Sequence, residues 1–195
     1  IAVVNGPGHL VSAQLIEPHH LDIIHFTGST AVGKMIMQSA AKQLTPVILE
    51  LGGKSPCIVA QDASIEYAAK KIVFTKLLNA GQVCVSADYL LVHESIKDKL
   101  VAAIKKAMVG MHGDDAKKSK DYGRIINEKH LLRLQSFLSK GNILHGGEVD
   151  LQDLYMAPTI IDGIDMDDPI MQEEIFGPIL PIITYKDNEE ALQIV

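Results

Sequence analysis

Short apolar runs alternate along the chain with stretches whose apolar positions recur at intervals of three and four. The runs cover residues 1–5, 22–26, 46–49, 56–60, 89–93, 143–145, 158–161 and 179–185. Most are apolar throughout rather than alternating, the pattern of strands covered on both faces. Between them, Val32, Met35, Ile36, Ser39 and Ala40 form one stripe, and Ile65, Ala68, Ala69, Ile72 and Val73 another. Ile96, Leu100, Ile104 and Met108 form a third, closed by Gly110, and Leu131, Leu134 and Leu138 a fourth, closed by Gly141. Stripes at this spacing predict helices that face a core, and strands alternating with such helices predict the α/β class with a largely parallel sheet.

Residues 110–121 are rich in Gly, Asp, Lys and Ser with charges of both signs, as in a solvated loop. The clearest joint lies at 50–56, where paired glycines and a proline break both helix and strand. Residues 1–51 and 52–195 are therefore expected to form separate parts. At the far end Asp187 and Asn188 offer an N-cap, Glu189 and Glu190 suit the first turn of a helix, and Ala191, Leu192, Ile194 and Val195 give it an apolar face. The chain opens at Ile1 without a Met and stops inside that helix, so it is expected to be a piece of a longer protein, cut through secondary structure at both ends.

Composition narrows the class. With 47% apolar and 22% charged residues, the chain can bury enough surface to fold, which excludes disorder. No run approaches the roughly 18 to 20 apolar residues that cross a bilayer, and no basic segment precedes an apolar one at the start. The chain reads as soluble. A formal charge of −6, from 24 acidic against 18 basic residues, argues against a nucleic-acid binder driven by phosphate neutralisation. Two cysteines are too few for a disulfide framework and fit a reducing compartment. The eight histidines are scattered apart from the pair His19 and His20, with no metal-ligand spacing, so no metal is expected.

Candidate chemistry gathers at four places. Gly28-Ser29-Thr30-Ala31-Val32-Gly33-Lys34 lies between a predicted strand and a predicted helix, where unpaired N–H groups and the helix dipole favour an anionic phosphate. The segment follows most of the P-loop pattern but places Met35 where a hydroxyl must ligate magnesium, so a P-loop nucleotide-binding protein stands as an alternative. Without any ligand, the same residues make a capped helix with Gly33 allowing close packing. Gly6-Pro7-Gly8 lacks the third glycine of the dinucleotide fingerprint and reads as a turn leaving the first strand. Cys57 sits in an apolar run and reads as a small core residue, whereas Cys84 follows Gly81 on a turn that can present a thiol. Glu50 ends an apolar strand and is either a surface carboxylate or a general base.

Phe26-Thr27-Gly28-Ser29, Glu50-Leu51-Gly52-Gly53-Lys54, Gly81-Gln82-Val83-Cys84 and Glu173-Glu174-Ile175-Phe176-Gly177-Pro178, in that order, resemble the motifs of the NAD(P)-dependent aldehyde dehydrogenase superfamily. Asp121-Tyr122-Gly123-Arg124-Ile125-Ile126 and Met171-Gln172-Glu173-Glu174 are further similar to its class 3 and fatty-aldehyde branch. The resemblance implies the end of a Rossmann-type cofactor domain in residues 1–51, then most of an α/β catalytic domain in 52–195. It implies oxidation of medium-chain, long-chain or aromatic aldehydes to carboxylates with NAD or NADP. Cys84 would be the nucleophile, its backbone N–H part of an oxyanion hole, and Glu50 the base that activates water. Gly28, Ser29 and Gly33 would face the cofactor pyrophosphate, with Leu51 at the same site. Glu174 would hold the ribose at the nicotinamide end, with Phe176 packing beside it. Lys54 is assigned no chemistry.

The resemblance also implies a homodimeric parent on the cytoplasmic side. In some fatty-aldehyde members a membrane anchor of the endoplasmic reticulum follows the catalytic core. The family's Asn oxyanion donor, its early Rossmann strands, its adenosine-side Lys and its oligomerisation strand would lie outside this chain. The isolated piece is accordingly expected to be inactive. A catalytically silent homologue is the remaining alternative.

Overall fold

The break written into residues 50–56 is where the chain divides. In the computed structural model, which describes residues 1–195, Ile1–Gly52 and Gly53–Val195 form two compact units.

The first unit contains α1 (Gly8–Ile16), β1 (Ile24–Gly28), α2 (Thr30–Ala41) and β2 (Val47–Leu51), with β1 and β2 paired in parallel. Residues 1–5, expected as a strand, form none. The sheet has two strands only, and neither pairs with that segment. The Gly6-Pro7-Gly8 turn instead opens a helix, whose first N–H groups, of Leu10 and Val11, donate to the Pro7 carbonyl at 2.9 and 3.0 Å. Strands covered on both faces were expected, yet β1 and β2 alternate between half-buried and exposed residues, with His25, Thr27, Ile48 and Glu50 on the open face. Within this unit only one side of the pair is covered. The α2 stripe behaves likewise: Ile36 and Ala40 are buried, while Val32 and Met35 are exposed.

The second unit is built on a five-stranded sheet. Its strands are β3 (Pro56–Val59), β4 (Tyr89–His93), β5 (Asn142–His145), β8 (Thr159–Asp162) and β9 (Ile179–Tyr185), in the spatial order β3-β4-β9-β8-β5. All pairs are parallel except β5 with β8 at one edge. The unbroken apolar runs belong to the strands inside the sheet: Tyr89, Leu90, Leu91 and Val92 of β4 and Ile179, Leu180 and Ile182 of β9 are all buried. α3 (Ile65–Leu77), α4 (Lys97–His112) and α5 (Glu128–Ser136) add Ile72, Val73, Leu100, Ile104, Leu131 and Leu134 to the same core. α4 does not stop at Gly110 but continues through it to His112, and the stop falls at Gly113, whose φ is +79°. A glycine inside a helix costs only about 1 kcal/mol against alanine, which the buried face of α4 outweighs. The short hairpin of β6 (Val149–Asp150) and β7 (Tyr155–Met156) and the one-turn α6 (Pro169–Gln172) are too brief to leave a periodic pattern. The terminal α7 (Asn188–Ile194) is capped as its sequence predicts, Asp187 accepting from Glu190 N–H at 2.9 Å.

Candidate active site

In the first unit the candidate residues gather at one edge. β1 and β2 run parallel in a register that pairs Thr27 with Glu50 and Gly28 with Leu51, so their carboxyl ends lie side by side. Ser29 then turns directly into α2, its Oγ accepting from Val32 N–H at 3.4 Å. Gly28, Ser29, Glu50 and Leu51 thus share the carboxyl edge of a parallel pair, the usual ligand side of such sheets, next to a helix N-terminus with N–H groups to offer. Gly33, one turn further, is buried, and a Cβ there would lie 2.6 Å from Leu51 Cδ2. The glycine is what lets α2 lie against the end of β2. Glu50 is exposed on the open face.

The same geometry removes the P-loop alternative. That motif needs a loop between its first glycine and its lysine, to wrap phosphate in backbone N–H groups. Here a single residue, Ser29, separates strand from helix, and Thr30 to Lys34 are already helical.

In the second unit Cys84 is exposed, at the second position of a turn closed by Ser86 N–H donating to the Val83 carbonyl at 3.0 Å. The turn is anchored from behind by Gln82, which is buried. Its Nε2 donates to the carbonyls of Asn79 (3.0 Å) and Arg124 (2.9 Å), and its Oε1 accepts from Ile126 N–H at 3.0 Å. The Asp121–Ile126 motif therefore serves as the wall to which the nucleophile turn is fastened. Asn79, Ala80 and Gly81 all have positive φ, at 52°, 54° and 75°. Gly81 is required there twice over, since a Cβ would meet the carbonyls of both Gly177 and Lys76. Asn79 and Ala80, left-handed without being glycine, store strain, which buried anchors such as Gln82 hold in place. Cys57, by contrast, is half-buried on β3, and burial pushes its thiol pKa up, which leaves it inert at neutral pH.

The Gly81 to Gly177 approach sets the nucleophile turn beside the segment that carries Glu174 and Phe176. Glu174 is half-buried. Desolvation, followed by the nearby Asp88 charge, raises its pKa above the usual carboxylate range, against a backbone hydrogen bond from Gly53 and the charges of Arg133 and Lys54. Phe176 is exposed with φ of +49°, an unusual conformation for an aromatic residue. A pocket of about 420 Å³ lined by Met108, Asp115, Lys117, His145 and Tyr155 touches none of the candidate residues, so cavity volume does not mark this site. Glu50 and Cys84 belong to different units.

Sequence reasoning missed the supporting residues Gln82, Lys54, Asp88 and Lys76. Gln82 and Lys54 stood inside quoted motifs without a role, whereas Asp88 and Lys76 left no signal. Lys76 is fully buried in α3 with no hydrogen-bond partner for Nζ. Desolvation lowers its pKa to about 8, partly offset by Asp88 and Glu174 and reinforced by Lys54. Because the folded value lies below the ordinary 10.5, the penalty is full below pH 8 and fades as pH rises to 10.5. Lys76→Met is therefore expected to stabilise the full-length protein at pH 7 by up to about 3 kcal/mol, less what Asp88 loses. Urea unfolding at pH 7 and pH 10 tests this: the gain should shrink at the higher pH, and a destabilised variant at pH 7 would contradict it.

The fold and this arrangement define a Rossmann-like end joined to a thiol-bearing α/β unit, and comparison with known proteins supplies the family. The aldehyde dehydrogenase family model matches residues 1–195, and the chain belongs to that family. It is 48% identical over 89% of its length to the dimeric NADP-preferring aldehyde dehydrogenase of Rattus norvegicus, covering 38% of that protein. It is 45% identical over its whole length to aldehyde dehydrogenase family 3 member A2 of Mus musculus, covering 40% of that protein. The structure of a substrate-bound state of Staphylococcus aureus AldH superposes with a TM-score of 0.93 at 45% identity, over 98% of this chain and 42% of that one. The chain thus spans about two fifths of the length of these relatives.

Proposed function

We propose that the protein carrying this chain oxidises medium-chain, long-chain or aromatic aldehydes to carboxylates with NAD or NADP, and that Cys84 and Glu50 perform the covalent chemistry. The observation that carries the reading is Cys84, exposed on a turn that Gln82 and Gly81 fix beside the Glu174 segment. A dinucleotide suits the donor set: the N–H groups that open α2, beside Gly28, Ser29 and Leu51, for the pyrophosphate, the Glu174 carboxylate for ribose hydroxyls, and the exposed Phe176 ring beside it. Gly33, whose N–H is taken by the Ser29 carbonyl at 2.9 Å, contributes by letting α2 lie against Leu51.

Cys84 attacks the aldehyde carbon as thiolate, forming a C–S bond and a thiohemiacetal whose oxyanion the Cys84 N–H stabilises. A bound nicotinamide would supply the two-electron acceptor for the hydride that the thiohemiacetal carbon must lose to become a thioester. Glu50 takes a proton from water, the hydroxide adds to the thioester carbon, and the C–S bond breaks to return Cys84 to the thiolate and release the carboxylic acid. The acid loses its proton to solvent and leaves as the carboxylate, and Glu50 loses its own proton to solvent in turn. A homodimer fits the name of the rat relative, and a cytoplasmic-side parent with a membrane anchor of the endoplasmic reticulum fits the family 3 likeness. No helix of the chain itself is long and apolar enough to cross a membrane.

The test is direct. Full-length protein given an apolar aldehyde with NAD or NADP should produce reduced cofactor and carboxylate in equal amounts. Absence of turnover with every aldehyde and both cofactors, in protein shown to bind dinucleotide, would favour the catalytically silent homologue.

A further inference from the structure

Asp88 and Lys54 are unused by the chemistry above, yet both are heavily engaged in the second unit. The Asp88 side chain is 5% exposed, with Oδ2 2.5 Å from Lys54 Nζ and Oδ1 accepting Ile175 N–H at 3.0 Å. Lys54 Nζ also donates to the carbonyls of Ile170 (2.5 Å) and Glu173 (3.0 Å). From α5, Arg133 donates to the carbonyls of Glu174 (3.2 Å) and Ile175 (2.6 Å). Three charged side chains from three places thus hold the backbone from Ile170 to Ile175. Two of them have telling positions: Lys54 lies four residues after Glu50, and Asp88 four residues after Cys84.

We propose that Asp88, through Lys54 and the Ile175 N–H, is a positioning residue that fixes the Glu174 and Phe176 segment against the nucleophile loop and so sets the nicotinamide end of the dinucleotide site. The proposal rests on the cofactor reading given above. Burying an ion pair costs desolvation that an apolar pair would avoid, so its use here points to geometry rather than stability. The Glu174 carboxylate is held by a backbone hydrogen bond from Gly53, the residue before Lys54, and by its own backbone, and both are stretches that the pair grips. Phe176, at φ +49°, lies just beyond the gripped stretch, where an unfavourable conformation persists only if its surroundings over-determine it. The nucleophile loop is tied to the same segment at both ends, by Gly81 against Gly177 and by Asp88 to Ile175. Loosening Asp88 therefore frees Glu174 first and the thiol second.

In Asp88→Asn, one amide oxygen replaces two acceptors, so either Lys54 or the Ile175 N–H loses its partner. The test uses the full-length protein with Asp88→Asn, Lys54→Met, Lys54→Arg and the double variant Asp88→Asn with Lys54→Met. Three readouts apply: calorimetric dinucleotide affinity without aldehyde, amide hydrogen exchange of residues 173–177 in cofactor-free protein, and separate KM values for dinucleotide and aldehyde. Asp88→Asn and Lys54→Met should each weaken dinucleotide binding about tenfold and speed exchange in 173–177. The aldehyde KM should stay within about twofold, Lys54→Arg should retain affinity, and the double variant should be no weaker than the worse single one. Wild-type affinity and exchange in Asp88→Asn, or in Lys54→Met if Asp88→Asn does not fold, overturn the proposal. So does a loss of folded protein with unchanged affinity in what remains. A wild-type protein that binds no dinucleotide overturns the cofactor reading itself, and with it the ligand assigned here. Binding by wild type with no change in the variants overturns the positioning role alone.

Discussion

Full-length protein with alanine at Cys84 is expected to lose aldehyde turnover by about 10⁴-fold or more, because the covalent path loses its nucleophile. Cys57 cannot take over: it is half-buried on β3, and burial raises its pKa, which keeps it protonated at neutral pH. The loss should come without a loss of fold. Cys84 is exposed on a turn whose anchors are Gln82 and Gly81, so removal of its sulfur should change stability by no more than about 0.5 kcal/mol. Dinucleotide affinity should also stand, since the residues proposed to hold it are elsewhere. Absorbance of the reduced cofactor reads turnover, and calorimetry reads binding. Alkylation of the wild-type protein by iodoacetamide should label Cys84 before Cys57 and remove activity in proportion. Normal turnover by Cys84→Ala would refute the nucleophile assignment outright.

What the chain shows as text differs between its two units for one physical reason. In the second unit the sheet interior is covered on both faces, so β4 and β9 read as unbroken apolar runs, and α3, α4 and α5 show clean stripes. There the α/β class and the parallel sheet follow from pattern alone. In the first unit β1 and β2 keep an open face, and Val32 and Met35 of α2 stay exposed. Their apolar residues carry the same signal as core positions although this chain gives them nothing to cover, which is why residues 1–5 read as a strand and form none. The site divides in the same way. Gly81 and Gly33 are legible because a glycine at a forced position leaves a mark in sequence, and Glu50, Cys84 and Glu174 stand in recognisable motifs. Asp88, Lys76 and Arg133 could not be found that way. Their significance lies in partners 87, 12 and 41 residues distant or less regularly spaced, contacts that the fold creates and no local pattern announces.

Glu50→Gln is expected to separate the two halves of the reaction. Glutamine keeps the shape of the side chain, and Glu50 is exposed at the end of β2 in register with Thr27, so the first unit should fold unchanged. Thiolate attack and hydride release do not need the carboxylate, whereas activation of water does. A general base contributes about 10² to 10⁴-fold, so the variant should release one equivalent of reduced cofactor per site in a burst and then turn over about 10² to 10³ times more slowly. The burst is the informative part. Mass spectrometry of the quenched protein should find the acyl group on the Cys84 peptide, accumulated in Glu50→Gln and scarce in wild type. Hydroxylamine, a nucleophile that needs no base to activate it, should discharge the isolated acyl-enzyme of variant and wild type at similar rates once free aldehyde has been removed. If Glu50→Gln instead shows no burst, the carboxylate acts before the thioester, on the thiol. If it hydrolyses the acyl-enzyme at the wild-type rate, the water is activated by another group.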